Sequence, residues 1–301
     1  MPASLRVALI QMRMEADLAA NDARAEAAIR RAAAAGAQLI CLPELFRGPY
    51  FCQTEDVAQF DLGETIPGPG TQAYGGLARE LGVTLVVSLF ERRAKGLYHN
   101  TTVVLDRTGA IVHRYRKMHI PDDPKYYEKF YFTPGDLGFR SVDVGGVRLG
   151  VLICWDQWFP EAARLTALSG ADLLIYPTAI GWHPAEPAAA GAAQREGWEL
   201  IQRSHALANG CFVLSVNRVG FEATPPGGSG PVGDGLQFWG SSFIAAPDGS
   251  VLVRAGDQDE ALVIQDLDLD HIERQRRGWP FLRDRRIDAY GAIGTRFGTE
   301  S

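Results

Sequence analysis

The stretch VRLGVLICWDQWFPEAARLTALSGADLLIYPT, residues 147–178, contains a strand, a turn, a helix and a second strand in close succession. Val147–Ile153 is mostly apolar, Pro160 stands where a first helical turn tolerates proline, and Gly170 supplies a helix stop signal. Cys154 therefore falls where a parallel strand leads into a helix. In open α/β sheets ligands bind at that end of the strands, and a helix N-terminus stabilises negative charge. The pattern thus favours a thiolate nucleophile at this position.

Cys154 taken alone has two interpretations. Free cysteines are usually buried and unreactive, and they pack like small hydrophobic residues. A catalytic cysteine needs in addition a base, an oxyanion stabiliser and a scaffold that holds them in place. The choice therefore depends on the rest of the chain.

Composition and charge narrow the class of protein. With 301 residues, 46% of them hydrophobic and 22% charged, the chain has the composition of a soluble globular protein. Its net charge of −6 argues against a nucleic acid or an anionic membrane as partner. We expect neither a membrane-spanning helix nor a secretory signal. The four cysteines lack CxxC spacing, so we expect no disulfide scaffold, no cysteine-based zinc site and a cytoplasmic location.

Strand and helix signals alternate along the chain. The predicted strands are Leu5–Met12, Gln38–Leu42, Val83–Leu89, Tyr98–Asp106, Ala110–Tyr115, Arg140–Val144, Val147–Ile153, Phe212–Val216, Gln237–Ala245, Val251–Arg254 and Ala261–Asp266. The predicted helices run from a cap at Asn21 to Ala35, over Thr71–Leu81, from Pro160 onward and over Gln194–Ala208. Hairpins mixed with βα units indicate a mixed sheet with helices on its outer faces. No clean domain boundary is visible, so we predict one domain over residues 1–301.

Known cofactor motifs are not convincing in this sequence. The run GSGPVG at residues 228–233 matches a dinucleotide fingerprint by letter. It follows two prolines and leads into a strand, whereas that fingerprint requires a strand before it and a helix after it. The six histidines show no metal-ligand spacing. We therefore expect no metal and no organic cofactor.

Three ionisable residues are candidates to assist Cys154. Glu44 follows the apolar strand that ends at Leu42, and it is equally well read as an acid/base or as a solvated loop residue. Lys117 follows another predicted strand, although most lysines are simply exposed. Glu128 lies among aromatic residues in YYEKFYF, so burial would require a partner for its charge.

The motifs around these residues resemble the nitrilase, or carbon–nitrogen hydrolase, superfamily. They are PELF at Glu44, YRKMHIP at Lys117 and ICWDQWFPEAAR at Cys154. They occur in the family's order, and the resemblance extends over nearly the whole chain. It implies a four-layer α-β-β-α sandwich of two mixed sheets, with a C-terminal arm over about residues 270–301. It also implies homo-oligomers, either dimers or multiples of dimers.

The resemblance also implies roles for individual residues. Glu44, Lys117 and Cys154 correspond to the family's Glu–Lys–Cys triad, and Glu128 to its supporting glutamate. The backbone N–H of Trp155 corresponds to an oxyanion donor. This chemistry requires neither a metal nor an organic cofactor.

Four further segments resemble the branch of the family that hydrolyses N-carbamoylputrescine to putrescine, carbon dioxide and ammonia. They are PYFCQ (49–53), RKMHIPDDPKYYEKFYFTPGD (116–136), CWDQWFPEAAR (154–164) and YPTAIG (176–181). Relatives that act on N-carbamoyl amino acids need a nearby arginine to bind the substrate carboxylate. Here no cation follows Cys154 until Arg164. Acidic and aromatic side chains instead favour a cationic alkylammonium substrate.

We expect the substrate-binding residues to include Tyr50, Asp122, Trp155, Thr178 and Trp182, with Asp122 as the anchor for the amine. The alternatives are another amidase of the family, such as a β-ureidopropionase or an aliphatic or omega-amidase, or a nitrilase. A catalytically silent binding protein on the same fold is a third class.

Overall fold

The fold consists of two stacked β-sheets with helices on both outer faces. It is seen in a computed structural model that describes residues 2–225 and 234–298, so the glycine-rich run at 228–233 lies outside the described residues. The strands are β1 (Ser4–Gln11), β2 (Leu39–Cys41), β3 (Thr84–Ala94), β4 (Leu97–Leu105), β5 (Ile111–Arg116), β6 (Ser141–Val144), β7 (Val147–Val151), β8 (Leu173–Thr178), β9 (Gly181–Trp182), β10 (Phe212–Asn217), β11 (Val219–Ala223), β12 (Gly235–Trp239), β13 (Phe243–Ala245), β14 (Val251–Arg254) and β15 (Ala261–Asp268). The helices are α1 (Leu18–Ala34), α2 (Pro69–Leu81), α3 (Glu128–Tyr131), α4 (Pro160–Leu168), α5 (Ala188–Asn209) and α6 (Asp270–Gly278).

Both large sheets are mixed. The first has the order β15-β1-β2-β3-β4-β5 and the second the order β14-β13-β10-β8-β7-β6. In the first sheet β1, β2 and β3 are parallel, and in the second β7, β8 and β10 are parallel. The remaining pairs are antiparallel, and β11, β12 and β9 form a small third sheet. The predicted hairpin of β6 and β7 is confirmed.

Strand β1 shows how the layers are held together. Its residues Val7 and Leu9 belong to the core between the two sheets, while Ala8 and Ile10 belong to the core under α1 and α2. Alternate residues of a strand face opposite sides of the sheet, so a strand buried on both faces has an uninterrupted apolar sequence. On the far side, Trp198 of α5 packs into the core that includes the second sheet. The predicted α-β-β-α sandwich is confirmed.

Two details of the secondary structure differ from the sequence prediction. Helix α1 is capped by Asp17, whose side chain accepts a 2.9 Å hydrogen bond from the N–H of Ala19. Asn21, the predicted cap, is buried within the helix, where its amide bonds to backbone atoms of Glu15 and Arg47. Both residue types suit a cap, so the sequence does not distinguish them.

The strand predicted over Gln237–Ala245 is in fact two strands that belong to different sheets. Gly240 and Ser241 lie between them with φ values of +52° and +54°. This left-handed backbone cannot continue a β-ladder. The chain therefore leaves the third sheet here and enters the second.

Several strands end at one edge of the sandwich, and this edge positions the site. Glu44 follows β2, Lys117 follows β5 directly, and Cys154 follows β7. A backbone contact between the N–H of Glu44 and the carbonyl of Thr178, 3.4 Å long, connects the edges of the two sheets. Within the described residues, none of the helices is both long and apolar enough to cross a membrane.

Candidate active site

A buried lysine between two glutamates lies at the centre of the site. Lys117 is fully buried, and its Nζ donates to Oε1 of Glu44 at 2.8 Å and to Oε2 of Glu128 at 2.6 Å. Burial by itself lowers the pKa of Lys117, but the charges of Glu128 and Glu44 outweigh it, so its pKa lies well above the usual value. The two carboxylates therefore favour the ammonium form of Lys117 and hold it in a fixed position.

Glu44 has one engaged and one unengaged carboxylate oxygen. Its Oε1 accepts from Lys117 and also from Nδ2 of Asn100, at 2.6 Å. Its Oε2 is buried and has no hydrogen-bond partner among the described residues. A carboxylate oxygen in this state can accept a proton. The role of Asn100 was not predicted, because Asn100 lies within β4 among other polar residues, His99, Thr101 and Thr102, and nothing in the strand's sequence singles it out.

Glu128 is held from the opposite side by a tyrosine. The hydroxyl of Tyr50 donates to Oε1 of Glu128 at 2.6 Å, and both side chains are buried. Burial raises the pKa of Glu128 above its usual range; Lys117 opposes this increase and Glu44 adds to it. Tyr50 therefore helps to fix the carboxylates of the site.

Cys154 lies in a strained turn. Its φ is +40°, a value rarely adopted by residues other than glycine, and a short 3-10 helix over Cys154–Trp158 begins at it. Such backbone strain costs of order 1–3 kcal/mol and is concentrated at functional sites. The thiol donates to the carbonyl of Ala179 at 3.8 Å. Burial and the charge of Glu44 raise the pKa of the thiol, while Lys117 lowers it. The net pKa is well above the usual value, so a base must remove the proton.

Asp156 connects this turn to the segment that carries Lys117. Its fully buried carboxylate accepts from the N–H of Ile153 at 2.9 Å, the hydroxyl of Tyr115 at 2.8 Å, and the N–H and Nδ1 of His119 at 3.0 and 2.7 Å. This role of Asp156 was not predicted from the sequence. The available signal was an acidic residue between two tryptophans in CWDQW, because a carboxylate buried among apolar side chains requires partners for its charge.

Asp156→Asn is expected to lower the free energy of unfolding by about 1–3 kcal/mol. Each carboxylate oxygen of Asp156 accepts from two donors, and an amide nitrogen in place of one oxygen could not accept from its two. Urea denaturation measures the effect. The matched control is Asp143→Asn, since Asp143 is an exposed aspartate that accepts from the N–H of Gly146 in the preceding hairpin. Equal losses for the two variants would contradict the proposed connection.

A cavity of about 350 Å³ opens onto Cys154. Its walls are rich in aromatic side chains, which are Tyr126, Trp155, Trp158, Trp182 and Trp239. Three carboxylates contribute to the lining, namely Asp123, Glu128 and Glu186. Within residues 2–225 and 234–298, no arginine or lysine lines this cavity. The surface is therefore suited to an elongated cation.

The structure brings together only some of the residues predicted to bind substrate. Trp155 and Trp182 line the cavity, but Tyr50, Asp122 and Thr178 do not. The hydroxyl of Tyr50 is directed to Glu128, and Thr178 is buried with its hydroxyl on the carbonyl of Tyr176 at 3.0 Å.

Asp122 is an exposed loop residue, and its neighbour Asp123 lines the cavity instead. Glu186 is a second exposed carboxylate on the cavity wall and was not predicted. The cavity wall therefore has carboxylates at Asp123 and Glu186, from two different segments, and none at Asp122.

A lysine and a histidine near the cavity contact the same aspartate. Asp234 forms an ion pair with Lys125 and a hydrogen bond with Nε2 of His183, which itself lines the cavity. These contacts lower the pKa of Asp234 to about 2. The positive charge of Lys125 is therefore compensated, and the wall beside it stays acidic. No group of three His, Cys, Asp or Glu side chains in the described part of the chain is arranged to hold a metal ion.

Comparison with known proteins gives consistent matches. The profile of the family described as carbon–nitrogen hydrolase matches residues 6–277. The chain is 43% identical to N-carbamoylputrescine amidase from Solanum lycopersicum, over 96% of this chain and 94% of the relative. It is 38% identical to a citrullinase from Francisella tularensis, over 97% and 98% of the two chains.

Solved structures agree with these matches. A carbon–nitrogen hydrolase from Helicobacter pylori G27 has a TM-score of 0.93 and 44% identity, with 98% of this chain and 99% of that chain covered. A variant of the amidase from Nesterenkonia sp. AN1, which carries the acetamide moiety of fluoroacetamide on its active-site cysteine, has a TM-score of 0.72 and 28% identity, with 96% of each chain covered.

Proposed function

The chain belongs to the carbon–nitrogen hydrolase family, and we propose that it hydrolyses N-carbamoylputrescine to putrescine, carbon dioxide and ammonia. The observation that carries the proposal is the cavity at Cys154, which has carboxylates at Asp123 and Glu186 and no lining arginine or lysine among the described residues. The relatives named N-carbamoylputrescine amidase support it.

In the first half of the reaction, Cys154 is the nucleophile and Glu44 the base. The unengaged Oε2 of Glu44 takes the thiol proton as sulfur attacks the ureido carbon. Charge develops on the former carbonyl oxygen and is stabilised by the ammonium of Lys117 and the backbone N–H of Trp155. Glu44 then gives its proton to the departing ammonia, which leaves an N-alkylcarbamoyl thioester on the sulfur. The covalent cysteine adduct of the Nesterenkonia amidase supports this role for the thiol.

The second half returns the enzyme to its starting state. Glu44 removes a proton from water, which attacks the thioester carbon, and the same proton returns to the sulfur as the C–S bond breaks. The released N-carboxyputrescine loses carbon dioxide in solution to give putrescine. Glu128 keeps Lys117 in place through its 2.6 Å contact with Nζ.

The charge of the cavity lining favours N-carbamoylputrescine over the carboxylate-bearing substrates of other family members. Citrulline and N-carbamoyl-β-alanine carry a carboxylate, and binding it requires a cation such as arginine. The distal ammonium of N-carbamoylputrescine is instead complementary to Asp123, Glu186 and the aromatic wall.

The test combines charge-neutralising variants with an uncharged substrate. Asp123→Asn and Glu186→Gln are each expected to raise KM for N-carbamoylputrescine about fivefold, since a partly exposed ion pair contributes up to about 1 kcal/mol. The value of kcat should change little. The KM for n-pentylurea, in which a methyl group replaces the ammonium, should not change in either variant.

Asp122→Asn is the matched control, because Asp122 neighbours Asp123 but does not line the cavity. A wild-type preference for citrulline or N-carbamoyl-β-alanine over N-carbamoylputrescine would overturn the proposed substrate. Activity restricted to simple amides would leave the triad chemistry in place and assign the chain to an amidase of the omega or aliphatic type. A protein that hydrolyses none of these compounds would correspond to a silent binding protein.

Homo-oligomerisation also stays a prediction. Its support is the arm that follows α6, where several large apolar side chains are exposed. Their exposed fractions are 57% for Trp279, 75% for Ile287, 69% for Ile293 and 68% for Phe297. Exposed apolar groups of this kind are common where two chains meet.

A further inference from the structure

We propose that Arg218 and Glu222 form a buried positioning pair that holds Glu44 and Tyr50 in the geometry required for catalysis. The inference rests on the proposed reaction at Cys154 and extends it, because neither residue touches the reacting atoms.

Arg218 contacts the segment that carries Glu44. Its side chain is fully buried between β10 and β11, and Nη2 donates to the backbone carbonyl of Glu44 at 2.7 Å and to that of Leu45 at 3.0 Å. Its Nη1 donates to the carbonyl of Gly48 at 3.2 Å and to Oε1 of Glu222 at 2.8 Å. One guanidinium therefore binds three carbonyls of the same segment.

Glu222 contacts the other end of that segment. Its Oε2 accepts from the backbone N–H of Tyr50 at 2.6 Å, and the guanidinium of Arg218 lies 5.8 Å from the centroid of the Tyr50 ring. The hydroxyl of Tyr50 in turn donates to Glu128. The ion pair thus acts on both carboxylates that bind Lys117, on Glu44 through its backbone and on Glu128 through Tyr50.

The segment between Glu44 and Tyr50 needs such support. It belongs to none of the strands or helices, so regular ladders do not satisfy its backbone groups. Leu45, directly after the base, has a φ of +47°. A strained backbone keeps its conformation only where the surroundings fix it. A displacement of about 1 Å in a catalytic group can lower the rate about 100-fold.

Stability alone does not account for this pair. A buried ion pair is costly to desolvate, and its replacement by apolar residues of similar volume is often neutral or stabilising. The two roles therefore predict different results for such a replacement. A structural pair affects folding only, whereas a positioning pair affects turnover in a protein that remains folded.

The experiment is the double variant Arg218→Met/Glu222→Leu. We expect it to fold, with kcat lowered at least about 30-fold and KM changed less than about threefold. The rate of alkylation of Cys154 by iodoacetamide should fall in parallel, because Glu44 no longer meets the thiol correctly. This second readout needs no substrate, so it tests the pair even if N-carbamoylputrescine is not hydrolysed.

Two single variants test geometry against charge and cover the case in which the double variant does not fold. Arg218→Lys retains the charge, but one ammonium cannot reach Glu222 and three carbonyls together, so kcat should still fall at least about tenfold. Glu222→Gln keeps an acceptor for the N–H of Tyr50 and should lose less than Arg218→Lys. The control Arg6→Gln/Asp266→Asn removes an exposed bidentate pair between β1 and β15 and should leave both readouts unchanged. A folded double variant with kcat within about threefold of wild type, or an unimpaired Arg218→Lys, overturns the proposal.

Discussion

Cys154→Ala is expected to reduce ammonia release from N-carbamoylputrescine by at least about four orders of magnitude, because the variant has no group that can form the thioester. The fold should persist, since only one sulfur atom is removed, and its one hydrogen bond is the 3.8 Å contact with the Ala179 carbonyl. Ammonia release under substrate saturation measures the first effect and thermal denaturation the second.

Cys211→Ala is the matched control for this experiment. Cys211 is also fully buried, but it follows α5 directly, and the charged groups that act on its thiol are Arg276, Asp172 and Arg164 rather than triad residues. Its loss should change turnover less than about threefold. Cys52 is less suitable, because the charges of Glu128 and Lys117 affect the pKa of its thiol. Turnover in purified Cys154→Ala comparable to that of Cys211→Ala would remove Cys154 from the mechanism.

Lys117→Ala should lower kcat at least about 100-fold, as the loss of an oxyanion donor does in other acyl-transfer enzymes. It should also destabilise the fold by about 3–5 kcal/mol, because Glu44 and Glu128 would remain buried without their shared cation. Steady-state kinetics and urea denaturation separate the two effects.

The double variant Lys117→Ala/Glu128→Gln resolves any ambiguity between lost catalysis and lost stability. Removing one of the two carboxylates relieves their repulsion, so stability should recover while kcat stays low. Recovery of kcat to within about tenfold of wild type would reduce Lys117 to a structural residue.

The pH of this comparison matters little. Because the folded-state pKa of Lys117 is raised, its contribution to stability is complete below the unfolded-state pKa of about 10.4. That contribution is lost only as the pH rises through the higher folded-state value. The comparison at neutral pH is therefore free of lysine titration.

Local sequence signals were sufficient to predict the layered fold and the strands that end at the candidate site. Val147–Ile153, Pro160 and Gly170 are close in sequence, and the strand, turn and helix that they predict are present. Glu44, Lys117, Glu128 and Cys154 were found through short motifs, and the fold brings three of them into direct hydrogen-bonded contact. Their catalytic roles stay predictions.

Contacts between segments distant in sequence were not predictable in this way. Arg218 lies 174 positions from Glu44, with which it forms a hydrogen bond, and no local pattern connects the two. Asp122 and Asp123 are chemically identical neighbours, and only the surrounding loop, in which the N–H of Tyr126 binds the carbonyl of Asp123, decides which one lines the cavity. The interruption of the strand at Gly240 was not predicted, because the sequence of Gln237–Ala245 is typical of one continuous strand. The segment in fact contributes one strand to each of two sheets.

The left-handed backbone of Cys154 has a consequence for engineering of the chain. Cys154 has a φ of +40°, which is strained for a cysteine, whereas a glycine adopts positive φ values without steric cost. A redesign that selects residues for thermostability alone would therefore favour replacing the proposed nucleophile. The position represents a trade-off between stability and activity, and any thermostabilised version of this protein must gain its stability at other positions.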